Sequence, residues 1–162
     1  MSSTQTLLTI GAMMILALVA LRFNSALVTS QSADLSNKVY LTAFSLADNI
    51  IEEAKVKNFD ETTIHFPTTN PSTLSPVLGI DTTTEVYPNF NDVDDFNNFK
   101  DTITAPYFET YFIDCYVHYV SASNQDQISA TQTFYKKLIV TVRSPYLTSP
   151  DSVTLSYIFT LK

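Results

Sequence analysis

The chain has 162 residues, 45% of them hydrophobic, and a formal net charge of −7, enough for one ordinary domain plus an extra element. The acidic balance argues against nucleic acid as a partner, because phosphate binding needs a basic face. A single cysteine, two histidines and two glycines exclude an internal disulfide, a recognisable metal spacing, a glycine-rich phosphate loop and a G-x-S-x-G elbow, so neither an enzyme nor a cofactor is expected.

The first element begins at Gln5-Thr6-Leu7-Leu8-Thr9-Ile10-Gly11. Between Leu7 and Leu21 there is no charge, no proline and one glycine, and up to Ala33 the only charged side chain is Arg22. The acidic charge therefore lies wholly in residues 34–162. Met1 to Thr6 carries no Lys or Arg, a poor fit to a cleaved secretory signal. A membrane-spanning helix needs about 20 apolar residues. Leu7–Phe23 is 17 residues with Arg22 inside, short but possible, and Arg22 could snorkel to the interface.

The helical signal does not stop there. Leu35, Val39, Ala43, Leu46, Ile50 and Ala54 recur every three or four residues, with Tyr40, Phe44, Ala47 and Ile51 as a second row beside them. Asp34, Lys38, Ser45, Asp48, Glu52 and Lys55 fall on the opposite face. Asp34–Lys38 and Glu53–Lys57 are i,i+4 pairs with the acid first, the better orientation. No proline precedes Pro67. The pattern predicts one helix from about Gln5 to Asn58, at 1.5 Å per residue roughly 80 Å long.

Residues 1–59 thus divide into an apolar stem, 5–33, and an amphipathic half, 34–59, expected to pack on the domain formed by 60–162. The stem has nothing in its own chain to bury it. Its interface candidates are Leu7, Leu8, Ile10, Gly11, Met13, Met14, Ile15, Leu16, Leu18, Val19, Leu21 and Phe23, facing lipid or other copies. Gly11-Ala12, Ala17 and Ala20 would allow close helix approach.

Asp60 to Ile103 is rich in Thr, Asn, Asp and Pro and reads as irregular, with room for short strands near Val77–Ile80 and Thr84–Tyr87. Three clearer strands follow. Tyr107–Ala122 is aromatic and β-branched. Thr133–Arg143 places Phe134, Leu138, Val140 and Val142 on one side. Val153–Leu161 alternates Val153, Leu155, Tyr157, Phe159 and Leu161 against Thr154, Ser156 and Thr160. The last two should pair antiparallel, with one sheet face on the helix's second half. The expected fold class is α+β: a long helical stem with a small antiparallel β head, a lollipop.

Other residues in the head invite sharper readings. Asp92, Asp94 and Asp95 offer clustered oxygens of the kind calcium takes. Their D-x-D-D spacing departs from the EF-hand loop, whose glycine and distal glutamate are missing. The expectation is no metal, and a solvated or helix-capping loop instead. Cys115 lies mid-strand between Ile113 and Val117, as a small buried residue does. His118 shares a face with Asp114 and Tyr116, where a surface hydrogen bond is the default. The aromatics of Tyr107–Tyr119 serve core or subunit packing more readily than ligand stacking. The Ser/Thr-rich head could take O-linked glycans, and its one N-x-S sequence, Asn70-Pro71-Ser72, is disqualified by the proline.

This layout resembles bacterial type IV pilins and pseudopilins. Mature members of that family begin near a Phe-Thr-Leu-Ile-Glu run after a basic leader ending in glycine. Gln5-Thr6-Leu7-Leu8-Thr9 looks like that run, with Thr9 in the glutamate's slot and Thr4 in the leader glycine's. A second register starts the mature chain at Met1 and puts Gln5 in the glutamate's slot. Neither register supplies a carboxylate, and the family's common helix-breaking proline is absent. Phe90-Asn91-Asp92-Val93-Asp94-Asp95-Phe96-Asn97-Asn98-Phe99 resembles an Asp-Asp-Phe segment of minor-pilin-like proteins. Tyr135–Val142 and Val153–Ser156 resemble their last two strands.

The resemblance implies a structural subunit of an extracellular filament, membrane-inserted before assembly. Its partners would be identical copies and the inner-membrane pilus assembly machinery, with Gln5 or Thr9 meeting a neighbour's N-terminal amine. Two further readings stand beside it: a minor pilin or pseudopilin of a secretion system, and a single-pass membrane-anchored binding protein.

Overall fold

A computed structural model describes residues 2–82, 85–105, 109–147 and 150–161. The architecture is α+β, one long N-terminal helix and a four-stranded antiparallel sheet. The chain divides into two units, Met1–Lys38 and Val39–Lys162.

The first unit is helical from Ser3 onward, the start of helix α1 (Ser3–Lys55). Ser2 and Gln5 form half of a capping box: the Ser2 backbone N–H donates to Gln5 Oε1 at 3.2 Å. No side chain from Ser3 to Lys38 is buried, and Gly11 alone is partly covered.

In the second unit, α1 buries Val39, Ala43, Ala47, Ile50, Ile51 and Ala54. Three of these are alanines. Leu46 is partly covered, whereas Tyr40 and Phe44 of the second expected row remain exposed. Leu35, the first residue of the expected apolar row, belongs to the other unit and is 57% exposed. The helix ends at Lys55, three residues before the expected Asn58. Asn58 leaves it to pair with the chain at Asp92: its N–H donates to Asn91 O at 3.1 Å and its carbonyl accepts from Val93 at 2.9 Å.

The sheet runs in sequence order: β1 (Lys100–Thr104), β2 (Thr110–Tyr119), β3 (Tyr135–Arg143) and β4 (Ser152–Thr160), all neighbours antiparallel. The inward row of β2 is Tyr111, Ile113, Cys115, Val117 and Tyr119; that of β3 is Lys136, Leu138, Val140 and Val142. Apart from Lys136, and from Tyr119, which packs with Phe59 and Leu74, these rows and the buried helix residues share one core with Phe90, Val93, Phe96, Leu147 and Val153. The inward row of β4 is less covered than its alternation suggests. Val153 is buried, Leu155 and Phe159 are partly so, and Tyr157 is exposed. As an edge strand it has a neighbour on one side only, and Tyr157 takes the Lys55 ammonium over its ring at 4.4 Å.

Strand β1 falls within the stretch read as irregular. Lys-Asp-Thr-Ile-Thr has one large apolar residue, and the strand exists because it pairs with β2 from Lys100↔Asp114 to Thr104↔Thr110. The same stretch also forms a five-residue helix α2 (Glu61–His65), capped by Asp60, which accepts the Thr62 N–H. Val77–Ile80 and the described residues of Thr84–Tyr87 are not strands. Thr84 itself, and Tyr107 at the expected start of the second sheet strand, lie outside the described residues.

Candidate functional site

Two regions carry chemistry that the rest of the chain does not explain. The first is the helix surface of Leu7–Phe23. Its large apolar side chains stand in the open: Leu7 is 73% exposed, Leu8 75% and Leu16 70%, with Met13, Met14, Ile15, Leu18, Val19, Leu21 and Phe23 comparably bare. Monomeric soluble proteins rarely expose contiguous apolar surface of this extent. The helix is long and apolar enough to cross a membrane. A Cβ added at Gly11 would meet no atom within 4 Å, so nothing in this chain requires glycine there. Thr9 donates its hydroxyl to the carbonyls of Thr6 (2.9 Å) and Gln5 (3.1 Å). That hydroxyl is thus held by its own helix, as the Gln5 side chain is by Ser2.

The second region lies in the sheet unit, around the Asp92–Phe99 segment. Asp92, Asp94 and Asp95 are buried, not solvated, and the backbone shows why. Asp92 Oδ1 accepts the N–H groups of Asp94 (2.9 Å) and Asp95 (3.2 Å), capping the 3₁₀ turn Asp94–Phe96. Asp95 Oδ2 accepts the N–H of Asn91 at 2.9 Å and of Asp92 at 3.4 Å. Asn97 then bridges outward, donating to Leu78 O (2.9 Å) and accepting from Val117 N (3.0 Å). Asn98 takes the left-handed conformation, φ 61°, that Asn tolerates better than most residues. The ring of Phe96 is buried against Phe90, centroids 5.0 Å apart and nearly perpendicular, and Phe90 meets Phe99 in the same way at 5.4 Å.

The remaining charge is answered by Lys136, which pattern reading passed over. It stands on the inward row of β3, where Leu138, Val140 and Val142 also point, and is fully buried. Its ammonium donates to Asp94 Oδ1 (2.6 Å), Asp60 Oδ2 (2.8 Å) and the carbonyl of Phe59 (2.7 Å). Asp60 in turn accepts from Thr62, from the N–H and hydroxyl of Ser75, and from the Tyr119 hydroxyl. Burial alone would raise the Asp60 pKa; the Lys136 charge and these hydrogen bonds outweigh it and hold it at about 2. Asp92 goes the other way, pushed up to about 9 by burial and by the neighbouring Asp94 charge. The only signal for Lys136 in the sequence is parity: it sits two residues before Leu138, in the core-facing phase.

The three aspartates thus do not converge on one ion. Asp94 is spent on Lys136 and Asp95 on backbone N–H groups. Asp92 and Asp94 each keep one buried oxygen, Oδ2, that no N–H group reaches. The oxygens that come together belong to a different set, Glu61, Asp81 and Asp92, mutually within 4.8 Å.

The other residues singled out take ordinary places. Cys115 is fully buried and burial pushes its thiol up to about 12, which suppresses thiolate chemistry. Asp114 is bound by Arg143 and lies 3.7 Å from the Lys100 ammonium, while His118 sits opposite Lys137. The helix and antiparallel sheet are compatible with a pilin-like fold. No protein-family model, curated protein or solved structure matches the chain.

Proposed function

We propose that this chain is a non-catalytic structural subunit of an extracellular type IV pilus-like filament, polymerising through its apolar N-terminal helix. The observation that carries the reading is the bare surface of Leu7–Phe23, more than ten large apolar side chains left open on a helix. Burying about ten of them contributes roughly 1.5–3 kcal/mol each, so on the order of 15–30 kcal/mol gross. A buried ion pair contributes little net, because desolvation offsets its attraction. A filament of this kind therefore does not depend on a glutamate for cohesion. Gln5 or Thr9 would set register, each with an oxygen able to accept a hydrogen bond from an amine.

In this reading the segment holds the subunit in the membrane before assembly, and the pilus machinery moves it into a polymer of identical copies. The contacts between copies are head-to-tail and do not close, the symmetry that gives filaments. A minor pilin or secretion pseudopilin would use the same helix in a shorter fibre. The second reading, a single-pass anchor for a binding domain, is favoured by the helix's capacity to cross a membrane.

The test is electron cryomicroscopy of material sheared from cells, with the chain identified by mass in that fraction. Filaments whose core density fits Leu7–Phe23 are the expected result. Recovery of the chain only as a detergent-extracted monomer would overturn the filament and leave the anchor.

A further inference from the structure

We infer that Glu61, Asp81 and Asp92 form a calcium-binding site on the sheet unit. Two independent observations meet there. One is convergence: a carboxylate oxygen from each residue lies within 4.8 Å of the other two. Oxygens that share one Ca²⁺ at about 2.3–2.6 Å can be separated by up to about twice that distance.

The other is an unanswered need inside the protein. Asp92 is 1% exposed. Its Oδ1 is committed to two backbone N–H groups, and its Oδ2 is buried with no N–H donor, its acidic neighbour being the Asp94 carboxyl, whose own Oδ2 is likewise without an N–H donor. Glu61 Oε2, at the start of α2, is likewise buried and unpartnered. Buried carboxylate oxygens are costly unless hydrogen-bonded, paired or bound to a cation. The nearby ammonium cannot serve them, because Lys136 is fully engaged by Asp60, Asp94 and Phe59 O.

The third ligand gives access. Asp81 is exposed, and its loop is held by Glu85, whose Oε2 accepts the N–H groups of Asp81 and Thr82 at 3.0 Å each. Glu85 Oε1 accepts from the Asn91 side chain at 3.1 Å, beside Asp92. One side chain thus ties the Asp81 loop to the segment carrying the buried ligand. An all-oxygen, all-carboxylate set selects a hard cation, and the remaining positions suit water. Calcium is preferred to magnesium because it accepts irregular geometry, whereas magnesium demands a tight octahedron. The site is independent of whether the chain polymerises.

The experiment uses the full chain in detergent, stripped with chelator and titrated with CaCl₂ by calorimetry and thermal melting. A saturable single site is expected, in the range of about 10⁻⁴–10⁻³ M typical of extracellular modules. The melting temperature should rise by about 3–6 °C at ten times the dissociation constant. Asp81→Asn should weaken binding at least tenfold without disturbing the apo fold, since Asp81 is exposed. Asp92→Asn should abolish it, and Asp151→Asn, an exposed acid elsewhere, should bind as wild type. Equal stabilisation by MgCl₂, unchanged binding in Asp81→Asn, or no saturable calcium signal would each overturn the site.

Discussion

The two units of this chain invert the usual relation between polarity and water. In residues 3–38 the large apolar side chains are exposed and the only charges are Arg22, Asp34 and Lys38. In the second unit Asp60, Asp92, Asp94, Asp95 and Lys136 are buried. The first unit leaves its large apolar side chains open. The second resolves most of its buried charge internally, through Lys136 and backbone N–H groups. The comparison separates two kinds of incompleteness, one apolar and extended, the other three buried carboxylate oxygens, on Glu61, Asp92 and Asp94, that no N–H group reaches.

The widest break in that comparison would come from putting a charge where the proposed filament would tolerate none. Leu16→Glu should eliminate sheared filaments, and its effect on the head's melting temperature should be within error. A variant that assembled at wild-type yield would mean that the bare surface is not the polymer core. The reverse substitution acts only on the second unit. Lys136→Met removes the cation between Asp60 and Asp94, and losing one partner of a buried ionic network costs about 3–5 kcal/mol. Denaturant melts of the sheet unit's near-ultraviolet signal would measure it. A loss below about 1 kcal/mol would show that the aspartates are not held ionised by this lysine.

Acid sharpens the contrast more gently. The folded pKa of Asp60 is about 2, below the ordinary carboxylate value of an unfolded chain. Its contribution to stability is therefore complete above pH 4 and is lost as pH falls through 2. Lowering pH from 4 to 2 should destabilise the second unit while leaving the helicity of the first intact. Asp60→Asn should flatten the melting temperature over that window, and an unchanged slope in that variant would assign the acid response elsewhere.

Much of this organisation was legible because it rests on periodicity. The helix from about Gln5 and the strands carrying Leu138–Val142 and Val153–Phe159 announce themselves through 3.6- and 2-residue repeats. Strand β1 could not be read that way, since Lys-Asp-Thr-Ile-Thr is shaped by its partner β2 rather than by its own preference. The aspartate cluster is visible as composition and reads as a solvated or helix-capping loop; the capping is there, in Asp92's bonds to the turn, but the solvation is not. Its burial depends on Lys136, 42 residues from Asp94 and 76 from Asp60, and no local pattern relates residues so distant. Glu61 and Asp81 carried no signal at all: they gain meaning only once α2 and the loop held by Glu85 bring them to Asp92.

The Lys136 contacts also bear on the order in which the chain can fold. The sheet is a meander, each strand beside its sequence neighbour, so its hairpins can form successively as the chain is synthesised. The ammonium of Lys136 joins Phe59, Asp60 and Asp94 across separations of 77, 76 and 42 residues, and such loops must close before the contact repays them. Until β3 arrives, the turn carrying Asp94 and the helix end at Asp60 have acids and no counter-charge. Lys136 is thus a contact that cannot exist until β3 has been made, long after the residues it joins, so any fragment ending before it keeps these acids without this cation.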